Sequence, residues 1–192
     1  MAARRAVTPA RMQPETPNPP VPTLAETLHT TTPLSPLLRK ARRLGVHTVN
    51  DMIRLAAQRG CRHYAPQPDA RCLSISSGQL GDDELTILLL VGENPYEPAA
   101  IRCAAQLARS PRVNPARLAR LAIMENCERV LTHIARAGAG HDPEGTSFWI
   151  DLLNRLPASP PREEPALPHW SRFVSMPGIQ RSGPAAIRWL VC

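Results

Sequence analysis

The acids, thiols and imidazoles of this chain are few, and their spacing limits the chemistry they can do. Gly81-Asp82-Asp83-Glu84 sets three carboxylates side by side. Paired carboxylates can divide acid and base duties. Acids in the first turn of a helix also need no catalytic explanation, because the helix dipole favours them there. His141, Asp142 and Glu144 form a second group, expected in a solvated loop. Cys61, His63 and Cys72 are near one another in the chain, and Cys127 and His133 lie six residues apart. Structural zinc takes four ligands, normally from two closely spaced pairs, and no C-x-x-C is present. No metal and no cofactor are therefore expected. The nucleotide, nucleophile and metalloprotease signatures G-x-x-x-x-G-K-[ST], G-x-G-x-x-G, G-x-S-x-G and H-E-x-x-H are missing, so the chain is expected to be non-catalytic.

Guanidinium groups are the abundant functional side chains. The 192 residues carry 23 bases against 16 acids, and Lys40 is the single lysine. Arginine presents a planar fork that binds phosphate and carboxylate through two parallel hydrogen bonds. The charge is laid out in blocks. Pro36 to Pro66 has seven bases and one acid, Gln67 to Pro98 one base and six acids, and Ala99 to Gly140 seven bases and two acids. The two basic blocks can serve a polyanion. They can equally pair with the acidic block inside the fold.

Those side chains must be held by helices. Residues 1–34 are rich in Pro and Thr and are expected to be a disordered tail, with Pro17 to Pro22 inclined to polyproline II. Its arginine-bearing start is too proline-broken for an amphipathic presequence helix. From Ser35 the pattern changes. Ser35 can cap a helix with Pro36 at its first position, closed by Gly45. Thr48, with Asp51 three residues on, opens a second helix closed by Gly60, with Val49, Ile53 and Ala56 or Ala57 expected inside. A short strand at Cys72 to Ser76 is expected, with Ile187 to Val191 as its one available partner. Asp82 to Val91 is apolar on nearly every side and should be the central buried helix. Further helices are expected at Pro98 to Ala108, at Asn114 to Ala137 as one long amphipathic element with Glu125 and Arg129 paired, and at Ser147 to Leu156, where Phe148, Trp149, Ile150, Leu152 and Leu153 should plug the core. The longest apolar run is about seven residues around Leu85 to Val91, far short of the roughly twenty that span a bilayer.

The stretch Leu37 to Ala56 is the most informative. Leu44, Gly45, Val46, Thr48, Val49, Asp51 and Met52 resemble the glycine turn and Thr-capped helix of helix-hairpin-helix-like domains, such as the C-terminal domain of the bacterial RNA polymerase α subunit. The resemblance covers about twenty of the 192 residues. It implies a turn and helix N-terminus that face phosphates, where free N–H groups and the dipole attract anions. A second DNA-binding arrangement, a helix-turn-helix over Ala99 to Ile123, would present Arg117 and Arg120. His47 is expected to be solvated.

These readings combine into a mainly α protein: a bundle of five to six helices over 35–157, the tail 1–34 before it and a proline-rich, partly docked extension over 158–192. The expected function is that of a small helical adaptor or accessory protein that binds nucleic acid through Arg39, Lys40, Arg42, Arg43, Arg54, Arg117 and Arg120. The alternative is a protein–protein interaction module or a subunit of a larger complex, without nucleic-acid contact. Five cysteines with no framework spacing and no secretory signal point to reduced thiols in the cytoplasm.

Overall fold

Side-chain caps open three of the helices. In the computed structural model, which describes residues 34–61, 74–91, 97–158, 174–175, 188–189 and 191–192, the hydroxyl of Ser35 accepts from the Leu38 N–H (3.1 Å) and opens α1, Pro36–Arg43. Thr48 and Asp51 form a reciprocal capping box that opens α2, Val49–Gln58. Asp82, Asp83 and Glu84 fill the first turn of α3, Asp82–Val91. Pro98 and Pro115 sit at the first turns of α4, Pro98–Ala108, and α5, Pro115–Met124. The Asn114 side chain accepts from the N–H groups of Ala116 and Arg117 to cap α5. Then follow α6, Glu128–His141, a 3-10 turn at Pro143–Gly145, and α7, Thr146–Arg155. Residues 1–33 of the expected tail and residues 72–73 of the expected strand lie outside the described residues.

Helix ends follow one rule three times. Gly45 and Gly60 adopt left-handed backbones with φ of 86° and 106°, and Asn126 does so with φ 56°. Each time the next residue's N–H reaches back to the helix: Val46 to the Ala41 carbonyl, Cys61 to that of Ala56, Cys127 to that of Ala122. This is the Schellman closure, with its following residue buried against the turn. Val46, Cys61 and Cys127 are all buried.

The closure at Asn126 corrects the expected long helix. Residues 115–137 are not continuous: α5 ends at Met124 and α6 starts at Glu128. The apolar spacing runs through the break, so periodicity could not reveal it. The i,i+4 geometry expected for Glu125 and Arg129 is lost with the helix. The result is seven α-helices among the described residues instead of five or six.

α3 lies at the centre, as its all-round apolar composition requires, with Asp82 to Leu90 buried along its whole length. It packs chiefly on α4 and α5, and also on α2 and α1. α7 covers α5 and α6, and α6 approaches it closely: a β-carbon on Gly138 would fall on the Trp149 indole. Trp149 is fully buried and meets Phe148 and Trp189 edge-on, with centroids 5.0 and 5.1 Å away. Ile150, expected in the plug, is instead exposed, one helical step off the buried stripe of Trp149 and Leu152. In α2 the buried residues are Met52, Ile53, Leu55 and Ala56, while Val49 is half-buried.

The expected strand pairing is tested only over its described part. Ser74 to Ser76 take no strand structure, and Arg188–Trp189 pairs antiparallel with Val174–Ser175, Val174 opposite Trp189. Burial of the Trp189 ring against Trp149, and its indole N–H to the Ala105 carbonyl (3.4 Å), hold that segment on the bundle. No helix among the described residues is long and apolar enough to cross a membrane.

Candidate functional site

The acids at the start of α3 are tied down from four sides. Asp82 accepts from Arg59 Nη1 (2.8 Å), Arg112 Nε (2.8 Å) and Ser110 Oγ (2.7 Å). Arg117 Nε lies 2.7 Å from Asp83 and its Nη2 3.3 Å from Glu84. Lys40 Nζ donates to both Glu84 oxygens, at 2.8 and 2.7 Å, and Glu84 also accepts the Gly81 N–H. Burial alone would raise the Asp82 and Glu84 carboxyls. For Asp82 the hydrogen bonds from Ser110 and Arg112 and the charges of Arg112 and Arg59 outweigh it. For Glu84 the Lys40 and Gly81 hydrogen bonds and the charges of Lys40 and Arg117 do the same. Both carboxyls are held below their ordinary values. The Gly81–Glu84 run is thus a knot that joins α1, α2, the α4–α5 turn and α5 to the central helix.

Asp142 forms a second knot, and it corrects the expected solvated loop. It is buried, caps the 3-10 turn through the Gly145 N–H, and accepts from Arg109 Nε (2.6 Å) and Trp149 Nε1 (2.8 Å).

With those pairs made, the expected phosphate contacts separate into two groups. Lys40 and Arg117 are engaged with α3. Arg54 sits 3.8 Å from Asp51, its Nε buried without a hydrogen-bond partner. Arg39, Arg42 and Arg43 are exposed, spaced i, i+3 and i+4 on α1, and with Pro36 they line one open recess. No carboxylate among the described residues pairs with them. Arg120 is also exposed, on α5, and does not border that recess. The separation follows from helix geometry: Leu37 and Ala41 are buried and Lys40 points to Glu84, which turns the other three bases outward.

The turn that the helix-hairpin-helix resemblance assigns to phosphate is already filled. Asp51 Oδ2 accepts from the Thr48 N–H (2.9 Å) and the His47 N–H (3.2 Å). Burial would raise this carboxyl, but the Thr48 and His47 bonds and the Arg54 charge bring it below its ordinary value. A carboxylate therefore stands at this turn on the N–H groups of His47 and Thr48, while three exposed guanidinium groups lie on α1. The helix-turn-helix alternative fares no better geometrically, since α5 packs on α3 and α7 instead of forming a packed pair with α4.

Sequence reasoning missed an apolar pocket of about 120 Å³ beside the arginines, lined by Leu34, Leu38, Arg42, Val46, His47, Val49, Met52 and Val91. Arg42 borders both recesses. Leu34 and Leu38, both half-buried, were the apolar residues of this stretch that the expected core left unassigned. Neither recess is lined by Asp or Glu, and no group of three His, Cys, Asp or Glu among the described residues is placed to hold a metal. The fold and these clusters define a mainly α protein with a solvent-open arginine face on one helix. No known protein family, curated protein or solved structure matches the chain.

Proposed function

We propose that this is a non-catalytic, cytoplasmic helical adaptor that binds nucleic-acid phosphates through Arg39, Arg42 and Arg43. The observation that carries the proposal is the contrast within one short helix: Lys40 is neutralised by Glu84, whereas its three arginine neighbours are exposed and pair with no acid among the described residues. Planar guanidinium groups suit bidentate phosphate contacts. Three such contacts give weak, sequence-independent binding, with affinity falling as salt rises at a log–log slope of about −3. Fluorescence anisotropy of labelled single- and double-stranded oligonucleotides over a salt series measures this. Absence of binding at low salt removes the proposal.

One observation favours a second reading. The apolar pocket shares Arg42 with the basic recess, which suits an acidic protein segment with a single aliphatic anchor. On that reading Val49→Gln, at the half-buried pocket wall, abolishes nuclease-resistant co-purification of a stoichiometric protein partner and leaves oligonucleotide affinity unchanged.

A further inference from the structure

Cys61, Cys103 and Cys192 converge from the end of α2, from α4 and from the segment after β2. Cys61 Sγ lies 3.0 Å from Cys192 Sγ and donates toward the Cys103 carbonyl at 3.5 Å. The two chains that bring Cys61 and Cys192 together are held in register by three further contacts. Gln106 Nε2 bridges the carbonyls of Gly60 (3.4 Å) and Val191 (3.3 Å). The Gly60 backbone lies so close to Cys192 that a β-carbon there would stand 3.7 Å from its Cα. Trp189, two residues from Val191, is buried against Trp149 and donates to Ala105. Sulfurs that must close by roughly 1 Å to bond, on backbones already fixed, are placed for pairing.

We propose that Cys61 and Cys192 are an intramolecular thiol pair that closes to a disulfide by exchange with a low-molecular-weight disulfide, clasping residues 188–192 onto α2 and α4. Cys192 is half-buried, while Cys61 and Cys103 are buried, so Cys192 meets the reagent first. Its thiolate attacks one sulfur of RSSR, forming Cys192–S–SR and releasing one RS⁻. Cys61 then loses its proton and attacks Cys192 Sγ, releasing the second RS⁻. One RSSR is reduced to two RSH and the two protein thiols are oxidised. Hydrogen bonds to Cys103 and Cys192, with burial added, raise the Cys61 thiol above its ordinary value. Cys127 stays apart: burial, then the charges of Glu128 and Glu125, push its thiol up as well.

The test incubates the full chain with oxidised glutathione under native conditions and maps peptides by mass spectrometry without reduction. The expected product lacks two hydrogens and links the Cys61 peptide to the Cys192 peptide. Closing so long a loop lowers the unfolding equilibrium constant at least about 30-fold. Cys192→Ser should abolish the link and that gain while the reduced protein keeps its stability, so the test does not depend on whether a Cys61 variant folds. A Cys61–Cys103 link overturns the proposal. So does a product that stops at glutathionylated Cys192, or a chain that stays reduced while folded.

Discussion

At the residue scale the decisive feature is unequal exposure within one ion-pair network. The Arg59 side chain is 7% exposed and Asp82 fully covered, whereas Arg112 is 55% exposed. Removing Asp82 leaves a buried guanidinium with no counter-charge; removing Arg112 leaves Asp82 still bonded to Arg59 and Ser110. Asp82→Ala should cost about 3–5 kcal/mol and Arg112→Ala about 1 kcal/mol or less, both read from urea unfolding midpoints. Equal costs would show that the knot is not organised around Asp82. The same carboxylates set the pH response. Asp82 and Glu84 titrate below their ordinary values of 3.8 and 4.5 when folded. Their contribution is therefore complete above those values and is lost as pH falls through them toward the folded ones. The urea midpoint should hold steady down to about pH 5 and then decline, and Asp82→Asn should flatten that decline. An unaltered acid limb in the variant would contradict the assignment.

At the element scale three helix starts were legible because capping is local: Ser35, Thr48 and Asn114 each bond within three residues of themselves. The stops at Gly45 and Gly60 were legible for the same reason, since glycine alone accepts a left-handed φ without strain. The stop at Asn126 was not, because Leu121, Met124, Cys127 and Leu131 keep helical spacing across it, and only packing of α6 and α7 decides that the chain turns. In hindsight asparagine was the available signal, as the side chain that best tolerates that backbone after glycine. A sign test separates the two arrangements. In a continuous helix Asn126→Ala would stabilise through better propensity. At φ 56° it should instead destabilise by about 1–2 kcal/mol, with Asn126→Gly neutral or stabilising, as thermal or urea unfolding will show.

At the scale of the whole molecule, the alternation of basic, acidic and basic blocks was visible, but its outcome was not. Lys40 meets Glu84 across 44 positions and Arg59 meets Asp82 across 23, distances over which spacing says nothing about contact. Folding sorts the bases by this pairing. Lys40, Arg59, Arg112 and Arg117 go to the central helix, and Arg39, Arg42 and Arg43 remain outside. Of the expected phosphate contacts, the same sorting ties Lys40 and Arg117 to carboxylates and leaves Arg39, Arg42, Arg43 and Arg120 exposed. Stability and binding should accordingly be separable. Arginines of α1 are replaceable without unfolding, and Arg117 contributes to the fold through Asp83 and Glu84. The direct measurement is the salt dependence of oligonucleotide binding for the wild type, for Arg39→Ala/Arg42→Ala/Arg43→Ala, and for Arg117→Ala. The account predicts that the triple variant keeps its unfolding midpoint and loses the wild-type slope of about −3, while Arg117→Ala keeps the slope and unfolds earlier. A triple variant that binds like the wild type would contradict it.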